Sequence, residues 1–153
     1  MTTNSPAGNV EATERTRDIT NQLLTRMGAG DLPALLEMLT HDVEWDVPGD
    51  TEHVPWLGRR TVEQVPGFFE AMAERTIRER FDVERIVVDG PAAVIIGYAG
   101  VRLQATNESI GGRFAIELIV NADGKITRFY MFEDSWMVAS TVRPHLRRAP
   151  SEA

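Results

Sequence analysis

"RFAIELIVNADGKITRFYMFED", residues 113–134, holds two long apolar-alternating runs on either side of Asn-Ala-Asp-Gly. An Asp-Gly step between two such runs is a strong hairpin signal, because a tight turn needs residues that tolerate positive φ. Side chains two apart share a face of a strand. Phe129, Met131 and Glu133 therefore lie on one face of the second strand, and Tyr130, Phe132 and Asp134 on the other. Phe114, Ile116 and Leu118 likewise share a face of the first, with Arg113 and Glu117 opposite.

Working outward, the chain from Arg80 onward reads as antiparallel sheet. Phe81 and Val83, then Ile86 and Val88, change parity, which predicts a bulge or bend. Asp89-Gly90 turns the chain into AAVIIGYAGVRLQA, Gly111-Gly112 leads into the first strand of the hairpin, and the second is expected to run on through KITRFYMFEDSWMV. Before the sheet, Ile19, Leu23 and Met27 at four-residue spacing predict a helix from Glu11, stopped by Gly28 and Gly30. That Gly-Ala-Gly is a helix stop and not a phosphate loop, since no strand precedes it. Asp31 is placed to cap a second helix carrying Leu32, Leu35, Leu36 and Leu39. DVEWDVPG then opens as a strand with Val43, Trp45 and Val47 on one face, and breaks into a loop containing His53 and Trp56. Thr61 is a candidate cap, and Pro66 begins a third helix with Phe68, Phe69 and Met72. Residues 1–9 are expected to be disordered, 10–142 to form one domain, and 143–153 to be a frayed, basic tail. Helix, helix, strand, helix and four long strands give an α+β layer architecture, with helices on one face of a strongly bent sheet.

The 153 residues carry a net charge of −7, which argues against a nucleic-acid partner. With no cysteine there is neither a disulfide framework nor a thiolate ligand or nucleophile. No apolar run approaches the ~20 residues of a membrane span and no signal-peptide core is evident, so a cytoplasmic protein without a membrane partner is expected. His41 and His145 lack metal-ligand spacing, and no cofactor motif is present; activity is expected to survive chelation and dialysis.

The order of elements, together with "DVEWDVPG", "PWLGRRTVEQVPGFF" and "ADGKITRFYMFED", resembles the SnoaL-like branch of the nuclear transport factor 2 superfamily, over roughly residues 11–142. Ketosteroid isomerase and limonene epoxide hydrolase share that fold. The resemblance implies a cone-shaped α+β barrel, a mixed or antiparallel bent sheet with three helices of the N-terminal half enclosing one pocket. It also implies frequent dimerisation through the outer sheet face. Matched to the family's hairpin, the face of Phe129, Met131 and Glu133 points inward, with Phe114, Ile116 and Leu118 on the preceding strand. Val94, Ile96 and Tyr98 are assigned inward on the AAVIIGYAG strand.

The pocket so drawn is apolar, walled by Trp45, Ile96, Ile116, Leu118, Phe129 and Met131, with Trp56 and His53 closing the mouth. Glu133 is the candidate general acid or base, Tyr98 the donor to an oxygen that gains charge, and His53 a proton relay. Asp46 joins them only if a bulge turns it inward. Arg113 and Glu117 fit an interface charge pair between two copies better than a catalytic dyad, and Asp134 is expected to fix the chain after the last strand. The Asp-Arg-Asp set of the epoxide hydrolases is absent, since Tyr98, Gly100 and Met131 fall at its positions. The carboxylate of ketosteroid isomerase falls at Val47 or Asp46, and its acidic partner at Ile116. The expected activity is therefore cofactor-independent cyclisation or isomerisation, by acid–base catalysis, of a hydrophobic oxygenated small molecule. A polyketide-derived intermediate of secondary metabolism, as in antibiotic biosynthesis, is the expected substrate class. The alternatives are a non-catalytic binder of the same fold, or a ketosteroid-isomerase-like enzyme with rewired residues.

Overall fold

A computed structural model describes residues 6–143, with side chains from Gly8 onward. Helix α1 (Pro6–Ala29) is followed by a short α2 (Leu32–Leu36), strand β1 (Leu39–Val47) and the three-residue strand β2 (Gly58–Arg60). A 3₁₀ turn (Val62–Gln64) leads into α3 (Val65–Arg75), and then come β3 (Thr76–Asp89), β4 (Ala92–Leu103), β5 (Ser109–Val120), β6 (Ile126–Glu133) and α4 (Ser135–Val142). The sheet order is β2-β1-β6-β5-β4-β3. Among the described residues β1 and β6 are the one parallel pair, so the sheet is mixed, and its two edges, β2 and β3, are not hydrogen-bonded to each other.

The local reasons are visible in the residues. Gly30 (φ +66°) ends α1, and the Asp31 side chain accepts from Ala34 N at 3.2 Å to cap α2. The hairpin turn closes at Gly124 (φ +75°). The parity change in β3 is a bulge between Val83 and Arg85, with a second between Arg78 and Arg80. These bends curve the long β3–β4 ribbon over the helices.

The core is the concave face. Ladder partners share a face, and the rows Ile95–Ile116–Met131 and Ala93–Leu118–Phe129 run inward across β4, β5 and β6. Trp45 pairs with Phe129 across the parallel β1–β6 junction, and their rings stack at 3.9 Å with 6° between planes. Phe68 and Phe69 of α3 meet the same indole at 5.5 and 6.0 Å.

Three expectations need correction. Helix α1 begins at Pro6, inside the span expected to be disordered. The chain after Glu133 is not strand: Asp134 accepts from Met137 N at 3.0 Å and caps α4. The third concerns the register of β4. Gly97, not Tyr98, stands opposite Phe114, so Val94, Ile96 and Tyr98 face outward. Tyr98 pairs with Arg113 on one side and Asp82 on the other, and the Arg80 guanidinium lies 4.3 Å from its ring centroid. The physical reason is size. Phe114 fills the space over residue 97, and a Cβ there would overlap both its ring and the Asp82 carbonyl oxygen. Gly97→Ala should therefore destabilise the fold by ~1–3 kcal/mol in chemical denaturation, as overpacking does. Gly28→Ala is the control: its Cβ meets nothing, and helix propensity should make that variant slightly more stable.

Candidate functional site

β1, β6, α3, β4 and α4 converge on a chamber of about 80 Å³ on the concave side. Val47, Trp56, Phe68, Met72, Val101, Met131, Val138 and Glu133 are among the residues that line it. Among the described residues, Glu133 and Trp56 are the lining side chains that carry an oxygen or nitrogen. Glu133 is delivered there by strand parity, two residues beyond Met131 and opposite Phe114 on β5.

No hydrogen bond or ion pair reaches the Glu133 carboxyl among the described residues. Loss of solvent raises its pKa above the ordinary 4.5, and the neighbouring charge of Asp134 adds to the shift. Trp56 is 6% exposed, and its indole N–H has no intramolecular acceptor among the described residues. An unpaired carboxyl thus faces an apolar space that the Trp56 ring also lines, which is how a site for a polar group on an apolar molecule is built.

The other sequence candidates fall elsewhere. Tyr98 and Ile96 are on the outer face, as described, and cannot meet a ligand in the chamber. Inward positions of β4 near Glu133 are Ala99 and Val101, so no Arg-x-Asp pair enters the cavity in the true register either. Asp46 also faces outward, with Arg59 Nε 3.4 Å from its carboxylate; no bulge turns it in. Ile116, Leu118, Phe129 and Trp45 do point inward but are 0–1% exposed and pack into the core without lining the chamber. Met131 and Trp56 do line it. Phe68, Met72 and Val138 are among the further wall residues, with Val47, Val101 and Ile110, that were not site residues read from sequence. Phe68 and Met72 were legible only as a helix face, and Val138 was hidden by reading α4 as strand. Asp134 before an apolar run was the signal for that helix.

His53 is half-buried in a separate cluster on the loop before β2. Its Nδ1 lies 3.1 Å from Asp50 Oδ1 and 2.9 Å from Arg143 Nη1, while Arg143 donates to Asp50 Oδ2 at 3.0 Å. The imidazole either donates to Asp50 or accepts from Arg143 at that nitrogen, not both at once. Hydrogen bonding from His53 is the largest influence holding the Asp50 carboxyl below its usual range. Asp50, Glu52 and His53 bring their ligating atoms within 4.8 Å of one another, but the guanidinium already supplies the cation there. The cluster ties the loop to the end of α4 and does not reach the chamber. Arg113 and Glu117 are outward as expected, but each is satisfied within the chain, by Glu84 and Arg128 respectively. His41 sits exposed, 3.6 Å from Glu63, and His145 lies outside the described residues.

The sequence profile of the SnoaL-like domain family matches residues 20–129, and the chain belongs to that family. Its fold is that of nuclear-transport-factor-2-like proteins. An NTF2-like protein of Burkholderia xenovorans superposes with a TM-score of 0.76 at 22% identity, covering 86% of this chain and 98% of that one. One from Burkholderia thailandensis gives 0.74 at 22%, over 84% and 98%. A candidate polyketide cyclase from Pseudomonas putida gives 0.61 at 21%, over 83% and 96%. No curated protein matches the chain. No helix among the described residues is long and apolar enough to cross a membrane.

Proposed function

We propose that the protein is an acid–base catalyst of the cyclase or isomerase type, acting on a hydrophobic, oxygenated, enolisable molecule of polyketide character. The observation that carries this reading is the Glu133 carboxyl, unpaired and half-buried against the apolar chamber, where partial loss of solvent raises its pKa. A carboxylate in that setting is a stronger base than in water, and its acid form is held ready to return the proton. Glu133 removes a proton from the carbon beside a substrate carbonyl. The electron pair moves to the carbonyl oxygen, which accepts a hydrogen bond from Trp56 Nε1–H, and Glu133 returns the proton at the new position or after ring closure. Trp56 takes the role that Tyr98 cannot fill from the outer face. The resemblance in fold to a candidate polyketide cyclase is consistent with that substrate class.

The test is α-proton exchange in D2O, followed by NMR over a panel of hydrophobic β-diketones and cyclic ketones. Wild type should exchange at least one of them faster than buffer. If tight binders show no exchange, the protein is a carrier and not a catalyst.

We propose further that it works as a homodimer through the outer sheet face. The Tyr130 and Phe132 rings pack there at 4.6 Å with 47° between planes, Phe132 is 54% exposed, and Val94 and Ile96 extend the apolar surface. Light scattering should give a dimer for wild type and a monomer for Phe132→Asp; a monomeric wild type contradicts the assignment.

A further inference from the structure

The chamber around Glu133 is far below the ~300–1,000 Å³ of an ordinary small-molecule site. It has room for two or three waters at about 30 Å³ each. A second cavity, of about 410 Å³, lies between the C-terminal end of α1, α2, α3 and the β3–β4 ribbon. Met72 and Val101 line both spaces, so their side chains are the partition between them. The wall of the larger cavity is apolar, with Met27, Leu32, Leu35 and Phe69, and its polar groups are Arg26, Arg78, Glu70 and Thr76.

Those four polar groups differ in what they have left to offer. Thr76 Oγ1 donates to Met72 O at 2.6 Å, and Arg26 Nη1 to Ala34 O at 2.8 Å. Arg78 has no carboxylate partner among the described residues; its guanidinium lies 5.8 Å from the Phe81 ring centroid. Glu70 and Arg78 are both exposed, and Glu70 is the single acid on this wall among the described residues. Two guanidiniums against one carboxylate leave the wall cationic.

We infer that the two cavities are one substrate tract, gated by Met72, and that it takes an elongated apolar molecule with an acidic head. The head is held at Arg78 and Arg26, the apolar body fills the larger cavity, and the reacting end passes Met72 to reach Glu133 and Trp56. Methionine suits the gate because its unbranched side chain has three rotatable bonds and changes rotamer at little cost. Val101, β-branched and fixed in the sheet, is the stationary side of the opening. This tract rests on the chamber being the reactive site, and it deepens that reading by stating what kind of molecule arrives there.

The probes are dodecanoic acid, dodecanol, and dodecanoic acid brominated at either the α or the ω carbon, all below micellar concentrations. Bromine quenches tryptophan only at contact distance, and Trp56 marks the inner chamber. The ω-bromo acid should quench the fluorescence and the α-bromo acid should not, and Trp56→Phe should remove most of the quench. Arg78→Gln should weaken the acid by ~10-fold, as loss of a charge-assisted hydrogen bond does, and leave the alcohol unchanged. Met72→Ala should speed association by up to ~10-fold and Met72→Phe should slow it, within the range over which mutations alter association rates at one site. Equal quenching from both bromine positions, or a quench that persists in Trp56→Phe, overturns the tract. Equal affinity of acid and alcohol for wild type overturns the acidic head. These are binding readouts that need no proton transfer. Full activity in Glu133→Gln would therefore sink the catalytic reading while the quenching pattern still stood or fell by itself.

Discussion

Glu133→Gln is expected to lower turnover and α-proton exchange by ~10²–10⁴-fold, the range for loss of a general acid–base group. Glutamine keeps the size and hydrogen-bonding reach of the side chain but cannot exchange a proton at the reacting carbon. Ligand affinity should change little, because the apolar walls supply most of it. The same substitution should leave a stability signature of opposite sign. Burial holds the native carboxyl above the ordinary 4.5, so between the two pKa values the folded protein binds more protons than the unfolded chain. Stability therefore falls as pH rises through that window. Glu133→Gln carries no such penalty, and its stability advantage over wild type should grow above about pH 4.5 and level off once native Glu133 is ionised. Denaturant titrations at several pH values measure this. An active site that costs stability is the usual trade.

The largest stability effect is expected at Trp45. Its ring is 1% exposed, stacked on Phe129 and edged by Phe68, at the junction where β1 joins the hairpin. Trp45→Ala should cost ~3–5 kcal/mol, the range for deleting a large buried aromatic side chain. Against a typical total of roughly 5–15 kcal/mol, that is enough to leave the protein marginal, with Tm lower by about 10 °C. Trp45→Phe separates the two contributions of the indole. The buried Nε1–H has no partner among the described residues, and an unsatisfied donor costs roughly 1–3 kcal/mol. Phenylalanine keeps much of the stacking and removes that donor, so its net effect should be small. If the alanine variant is no less stable than the phenylalanine variant, this junction does not hold the helices to the sheet.

The hairpin at residues 121–124, the β3 bulge, the Asp31 cap and the inward faces of β1, β5 and β6 were legible because each strand or turn carried one unambiguous signal. On β5 and β6 the inward choice also needed the family's hairpin, and it put Glu133 on the inner face. β4 was not legible in the same way. In AAVIIGYAGVRL both parities are apolar, so alternation does not choose a face, and a tyrosine among small residues invites the wrong one. What settles the face is complementarity across the ladder: an inward Phe114 needs a residue without a side chain opposite, and in the structure Gly97 takes that place while Gly100, on the other parity, pairs with Gly111. The site was half legible for a related reason. Strand parity says which residues point inward, but not which of them a neighbouring ring already covers. Ile116, Leu118 and Phe129 are covered; Met131 and Glu133, nearer the strand end, are not. Arg143 as the partner of Asp50 and His53 involved a separation of some 90 residues, which no local pattern encodes.

A ¹³C NMR titration of the Glu133 side-chain carboxyl, assigned by its loss in Glu133→Gln, tests the central claim most directly. The account predicts a midpoint clearly above the ordinary glutamate value of 4.5, in a group that no intramolecular partner stabilises as the anion. A midpoint at or below that value would show a carboxylate that is solvated or paired, and the acid–base reading of the chamber would fail.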